Sequence, residues 1–165
     1  MYRLVILGIT VVAVLAAVDK RECEKIFDPH ATHCCKKTAE LFEKHMKSEK
    51  FKDCLQMSMD PALCEHELCV AKKQGFATDD NKLDMKKLAE TLNNDFGSNA
   101  DLIKDIKTKC FDGALVVYGP PDFCDFFKMK LCISAQLLKN CPEWNDNDTC
   151  NEYKGLVQEC GQTFF

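Results

Sequence analysis

The sequence has no stripe of basic residues; 22 Lys and Arg stand against 26 Asp and Glu, a net charge of −4. A mildly acidic chain carries no electrostatic footprint for a phosphate backbone, which argues against nucleic acid as a partner. Strand signals are scarce, with only Leu115-Val116-Val117-Tyr118 showing β-branched and aromatic character. No repeat, low-complexity tract or domain linker is visible. Beyond the first 17 residues, no apolar run approaches the roughly 20 residues needed to span a bilayer. Nor do the cysteines form paired Cys-x-x-Cys knuckles, which argues against a metal site built on zinc.

What is present begins with a leader. Arg3 supplies a positive start, Leu4 to Ala13 is almost continuously apolar, and Val14-Leu15-Ala16-Ala17 is small-residue rich. Residues 1–17 read as a secretory signal peptide cleaved after Ala16 or Ala17, leaving residues 18–165 as a single secreted, extracellular domain. Losing Arg3 leaves 21 bases against 26 acids. No membrane insertion is expected after cleavage. All twelve cysteines lie beyond the leader, and an even, dense set behind a signal peptide predicts six disulfides in an oxidising compartment. Each bridge removes unfolded-chain entropy worth roughly 2–4 kcal/mol, though not additively. A domain stapled in this way tolerates a hollow core.

Helical periodicity dominates the remainder. Ala39, Leu41, Phe42, His45 and Met46 recur at helical spacing after Cys34-Cys35. A helix is expected from Pro61, carrying Leu63, Cys64, Leu68 and Cys69 and ending at Gly75 as a C-cap. Asp79-Asp80-Asn81-Lys82 reads as a turn, and Asp84 as the N-cap of a helix over Met85 to Asn93. Another helix from about Asn99 aligns Leu102, Ile103, Ile106 and Cys110. Gly119-Pro120-Pro121-Asp122 breaks the chain before a long helix that Cys141-Pro142 stops, and a short one carries Tyr153, Leu156, Val157 and Cys160. The expected fold is all-α: six or seven short helices around an apolar cavity, cross-linked by six disulfides.

Fragments of chemical motifs occur, each incomplete. His66-Glu67 begins like a metalloprotease helix, but Val70 stands where the second histidine is required. Asp79-Asp80-Asn81 starts like a calcium loop, yet Leu83 replaces an oxygen ligand and Asp84 the glycine. His33-Cys34-Cys35 resembles secreted phospholipases A2, but Lys36-Lys37-Thr38-Ala39-Glu40 lacks their His-Asp pair. The four histidines, His30, His33, His45 and His66, are scattered and read as surface or partly packed residues, with a pH-sensing role only where they flank a cavity. Neither an enzyme nor a cofactor is expected. Asn147-Asp148-Thr149 is a glycosylation sequon at Asn147.

The remaining surplus is apolar. Met85, Leu88, Leu92, Leu115, Val117, Phe123, Phe126 and Phe127 are the candidate cavity residues, with Phe164-Phe165 as a lid. Most such residues in any domain are ordinary core. Burying roughly 300 Å² of an apolar ligand supplies on the order of 7 kcal/mol before association costs, which corresponds to micromolar or weaker affinity.

The segment Cys69-Val-x-Lys-Lys-x-Gly75-Phe76-x-x-Asp79-Asp80-Asn81-x-Leu83-Asp84-x-x-Lys87 resembles insect odorant-binding proteins. Cys69 and Cys110 enclose 40 residues and Cys132 and Cys141 enclose eight. The Cys34-Cys35 doublet with Leu41-Phe42, the Cys141-Pro142 pair and the additional Cys150 and Cys160 are similar to the cysteine-rich "Plus-C" subgroup. Four residues between Cys64 and Cys69, where three is usual, and a short Cys110–Cys124 stretch depart from the pattern. The resemblance implies a carrier of small hydrophobic molecules such as odorants or pheromones, with a chemosensory receptor or a second copy as further partners. It also implies the bridges Cys35–Cys69, Cys64–Cys132 and Cys110–Cys141, with Cys124 as an alternative to Cys132. Cys23, Cys34, Cys54, Cys124, Cys150 and Cys160 are left without assigned pairs. The rival expectation is a disulfide-rich interaction protein, an inhibitor or immune effector, with no ligand cavity.

Overall fold

Capping side chains set several helix starts where the sequence places them. Asp84 Oδ1 accepts from the Lys87 backbone N–H at 3.1 Å, and Asn99 Oδ1 from that of Leu102 at 3.1 Å. Gly75 closes a helix in the left-handed region at φ 89°, which only glycine adopts without strain, and its N–H donates to the Ala71 and Lys72 carbonyls. The computed structural model describes residues 20–46 and 48–161 and is all-α over them. Its helices are α1 (Lys20–Cys23), α2 (Pro29–His33), α3 (Lys36–Met46), α4 (Glu65–Gln74), α5 (Met85–Phe96), α6 (Ala100–Ile106), α7 (Asp125–Lys139) and α8 (Asp148–Glu159). Six of these, α3 to α8, are substantial. A π-turn over Lys107–Phe111 continues α6 and carries Cys110. The expected leader (1–17) and Phe164-Phe165 lie outside the described residues, as do the side chains of Phe42, His45 and Met46.

Helix α7 organises the packing, touching α2, α4, α6 and α8. The main core joins Leu88, Leu92 and Phe96 of α5 to Leu102 and Ile106 of α6 and to Met129 and Ala135 of α7. A smaller core of Ile26, Ala31, Leu138 and Val157 lies where the N-terminal segment meets α8.

Six disulfides tie this framework and use every cysteine. Cys35–Cys69, Cys64–Cys132 and Cys110–Cys141 do not form, whereas the alternative partner Cys124 does bond Cys64. Cys35 bonds Cys141, not Cys69, because its segment lies against residues 141–145: Lys36 N–H donates to the Glu143 carbonyl at 3.0 Å and Asn145 N–H to that of Cys34 at 2.7 Å. Cys69 instead meets Cys54 on the short 3-10 turn Cys54–Gln56 that packs on α4, with Cα atoms 5.5 Å apart. Cys64 bonds Cys124 in place of Cys132, since Cys124 N–H donates to the Pro61 carbonyl at 3.0 Å and holds the two segments together. Cys132 faces inward from α7 onto the π-turn and bonds Cys110, which removes Cys110 from Cys141. Cys23–Cys160 and Cys34–Cys150 complete the set. The bridges among Cys54, Cys64, Cys69, Cys110, Cys124 and Cys132 interlock, first to third, second to fifth and fourth to sixth.

Two helix boundaries differ from the expected ones, and Leu115–Tyr118, the stretch with the weak strand signal, is a 3-10 turn. The helix expected from Pro61 begins at Glu65. Asp60 Oδ1 accepts from Ala62 N–H at 2.9 Å to make a turn, and Cys64, tethered to Cys124, takes a left-handed conformation at φ 62°. Helix α5 runs on past Asn93 to Phe96, whose ring packs into the core.

Candidate ligand-binding pocket

Helix α4 presents His66, Val70 and Gln74 at four-residue spacing, so they share one face. That face looks onto Phe126, Met129 and Ile133 of α7, which also recur at helical spacing. Between them is a cavity of about 310 Å³, open to solvent on one side. Its flanks come from three turns. Phe51 and Leu55 arrive on 3-10 turns that the Cys54–Cys69 bridge holds against α4. Phe76 and Leu83 flank the Asp79–Lys82 turn, closed by Asp84 N–H donating to the Phe76 carbonyl at 2.8 Å. Leu88 of α5 contributes a buried surface.

One charged cluster interrupts this apolar wall. The Glu67 side chain is only 6% exposed, and its Oε1 accepts from Lys130 Nζ at 3.0 Å. His66 Nδ1 lies 3.2 Å from the same oxygen. Burial pushes the Glu67 carboxyl up, but the Lys130 charge and hydrogen bond, with His66 and the backbone N–H, outweigh it and hold the group below its ordinary value. Lys130 also sits over the Phe127 ring, 5.4 Å from its centroid, with half of its side chain exposed. Ser134 lines the cavity too, and among the described residues no hydrogen bond joins its hydroxyl to His66. Among the described residues no group of three or more acidic, histidine or cysteine side chains is placed to hold a metal ion.

A second cleft, about 590 Å³, lies between Phe27, Val117, Phe123, Phe127 and Leu131. It is the larger space and is open to a similar degree; Val116 and Val117 on its wall are 63% and 52% exposed, and Glu24 also lines it. A third, about 380 Å³, is lined by polar groups including Lys37, Asn99 and Asp101.

The nine residues expected to line one cavity are dispersed. Leu88 and Phe126 reach the α4–α7 cavity, while Val117, Phe123 and Phe127 line the second cleft. Met85, Leu92 and Leu115 belong to the main core instead, because the α5 face that carries Met85 and Leu92 turns toward α6 and α7. Phe165 lies outside the described residues. The α4 face and the Phe51, Phe76 and Leu83 contributions went unrecognised in the sequence. Val70 set between His66 and Gln74 at four-residue spacing was the available clue. Asn147 is exposed and caps α8, its Oδ1 accepting from Cys150 N–H at 2.9 Å.

Among the described residues no helix is long and apolar enough to cross a membrane. Six disulfides fit an oxidising compartment. No family model, curated protein or solved structure matches the chain.

Proposed function

We propose that the chain is a secreted carrier that binds small hydrophobic molecules reversibly, without chemistry, in the α4–α7 cavity. The observation that carries this reading is the cavity itself: about 310 Å³ walled by Phe51, Val70, Phe76, Phe126, Met129 and Ile133. Its volume suits a ligand of about ten water-sized atoms, at roughly 30 Å³ each. The resemblance to insect odorant-binding proteins supports the same reading and suggests a place in chemosensation. The interlocked linkage of Cys54, Cys64, Cys69, Cys110, Cys124 and Cys132 is in keeping with it.

Titration with the apolar dye N-phenyl-1-naphthylamine tests the proposal. Saturable brightening at micromolar to tens of micromolar dye, reversed by volatile alcohols and esters, is the expected result. Absence of saturable binding in that range refutes it.

A rival reading is an interaction protein that docks through surface apolar residues. It draws on Met59 and Leu63, 56% and 59% exposed on the segment before α4. It predicts dye binding that does not saturate, and no competition by small volatiles.

A further inference from the structure

Among the described residues, four large apolar side chains are more than half exposed: Met59, Leu63, Val116 and Val117. They are not scattered. Val116 and Val117 line the second cleft, and Met59 and Leu63 each stand two residues from Pro61, which lines it too. Apolar exposure gathered in this way marks an interaction surface, whereas single exposed residues do not. The surface is also held in shape. The Cys64–Cys124 bridge and the 3.0 Å bond from Cys124 N–H to the Pro61 carbonyl fix the loop carrying Met59 and Leu63 against the start of α7. Just beyond, the Phe123 ring packs edge-on to that of Phe127, with centroids 5.3 Å apart. Little ordering is left for a partner to impose.

Charge selects the partner. Residues 57–65 and 112–127, which supply most of the cleft's lining, carry Asp60, Glu65, Asp112, Asp122 and Asp125 and no Lys or Arg. Glu24 lines the cleft, and Asp60 and Asp122 adjoin Pro61 and Phe123. These three are exposed, and among the described residues none of them is in an ion pair. Lysines close by in sequence are engaged elsewhere: Lys25 with Glu22, Lys130 with Glu67, and the buried Lys128 with the Pro121 carbonyl. An anionic lipid surface meets like charge here, and so does the same face of a second copy across a two-fold axis. A small molecule in the cleft leaves Met59 and Leu63, which lie outside its lining, uncovered. We infer that this face docks a partner protein through an apolar segment flanked by Lys or Arg. The hydrocarbon sits on Val116, Val117 and Phe123, and the cations face Glu24, Asp60 and Asp122. The cleft shares no lining residue with the α4–α7 cavity, so this inference and the carrier reading stand or fall separately.

Fluorescence anisotropy of a labelled leucine-rich peptide with lysines on both flanks tests it, against a counterpart with glutamates in their place. The lysine peptide is expected to bind saturably, and the glutamate peptide at least about tenfold more weakly, the scale of a few exposed ion pairs. Val116→Ser/Val117→Ser should weaken the lysine peptide about tenfold through lost apolar contact, with the circular dichroism spectrum and urea midpoint unchanged. Glu24→Gln/Asp60→Asn/Asp122→Asn, in which the amide oxygen still serves the turn at residue 60, should bring the two peptides within about threefold of each other. Absence of saturable binding, or equal binding of the two peptides by the unaltered protein, overturns the inference, and that comparison needs no variant. Lysine-peptide binding that Val116→Ser/Val117→Ser leaves intact overturns it as well, since net charge alone would then explain the affinity. Sedimentation with phosphatidylserine vesicles, or dimerisation at rising concentration, that is lost in Val116→Ser/Val117→Ser also overturns it and assigns the face to a lipid surface or to a second copy.

Discussion

Enlarging Val70 to Phe separates a real cavity from a solid core by the sign of its effect. Val70 lines the α4–α7 space and is half-buried in mid-helix. Val and Phe have similar helix propensities, so the backbone contribution nearly cancels. The substitution adds four carbons, which occupy roughly 120 Å³ at a water-sized 30 Å³ each. That is well under the 310 Å³ available. Wholly buried, the added carbons would gain about 3 kcal/mol at roughly 0.8 kcal/mol per carbon. One side of the cavity is open, so about half of the new surface stays wet, and ordering the ring costs about 0.5 kcal/mol. The net expectation is stabilisation by about 1 kcal/mol, read from urea unfolding with the disulfides intact, together with loss of dye binding. In a filled core the same change forces neighbours off their rotamers and destabilises by about 1–3 kcal/mol. Leu92→Phe, in the packed core between α5 and α6, should show that penalty and provides the internal control. Destabilisation of Val70→Phe by as much as Leu92→Phe would refute the cavity.

Other consequences can be checked independently. Replacing Cys54 and Cys69 together by Ser should cost about 3 kcal/mol, the chain-entropy value for a 15-residue loop, and should weaken dye binding by freeing Phe51 and Leu55; a non-reducing peptide map joining Cys69 to any residue but Cys54 contradicts it. Glu67 sits below the ordinary carboxyl value of 4.5. Its contribution to stability is therefore fully present above that value and lost as pH falls through the lower folded value. The urea midpoint of the unaltered protein should drop on acidification below 4.5, and Glu67→Gln should flatten that part of the curve; superimposable profiles would exclude the ion pair as a source of acid sensitivity. Asn147 has two roles that separate cleanly. On passage through a eukaryotic secretory pathway the protein should carry a glycosidase-sensitive mass, abolished in Asn147→Asp with the α8 cap kept, while Asn147→Ala should also lose about 1 kcal/mol of helix capping.

Helix boundaries were legible because their causes are local. Asp84, Asn99 and Gly75 act within one turn of chain, and the structure uses each as a cap. Disulfide pairing is not local. Cys64 lies 60 residues from Cys124, and their meeting depends on the turn at Asp60-Pro61, whose Pro61 carbonyl accepts from Cys124 N–H. That turn also moves the start of α4 from Pro61 to Glu65, so the helix boundary and the Cys64–Cys124 bridge share one backbone feature. The cavity is less legible for a different reason. Leu88 and Phe126 on its wall are apolar, the residue type that marks a pocket in a sequence. The α4 side of the wall carries His66, Glu67 and Gln74, and polar side chains on a helix usually face water. Here Lys130 and His66 partner Glu67, which lets a carboxylate sit in the wall of an apolar space.

The disulfides and the cavity are then one energetic problem. A dry, closed void of 310 Å³ would cost about 7 kcal/mol at roughly 24 cal/mol per Å³, an upper bound for a space open on one side. Three bridges converge on its frame: Cys54–Cys69 seats the 3-10 turns on α4, Cys64–Cys124 joins the starts of α4 and α7, and Cys110–Cys132 anchors α7 to the π-turn after α6. Their loops correspond to about 3–4 kcal/mol each, reduced where they interlock. The two quantities are of the same size, so the cross-links offset the hollow and the helices need not collapse into it. The other three bridges, Cys23–Cys160, Cys34–Cys150 and Cys35–Cys141, join the N-terminal segment to the C-terminal one away from the cavity. Reducing them should lower global stability yet leave dye affinity in the folded fraction unchanged, whereas opening Cys54–Cys69 should lower both. That division of labour follows from where each bridge lies, and a chain whose six bridges all affected binding equally would not be built this way.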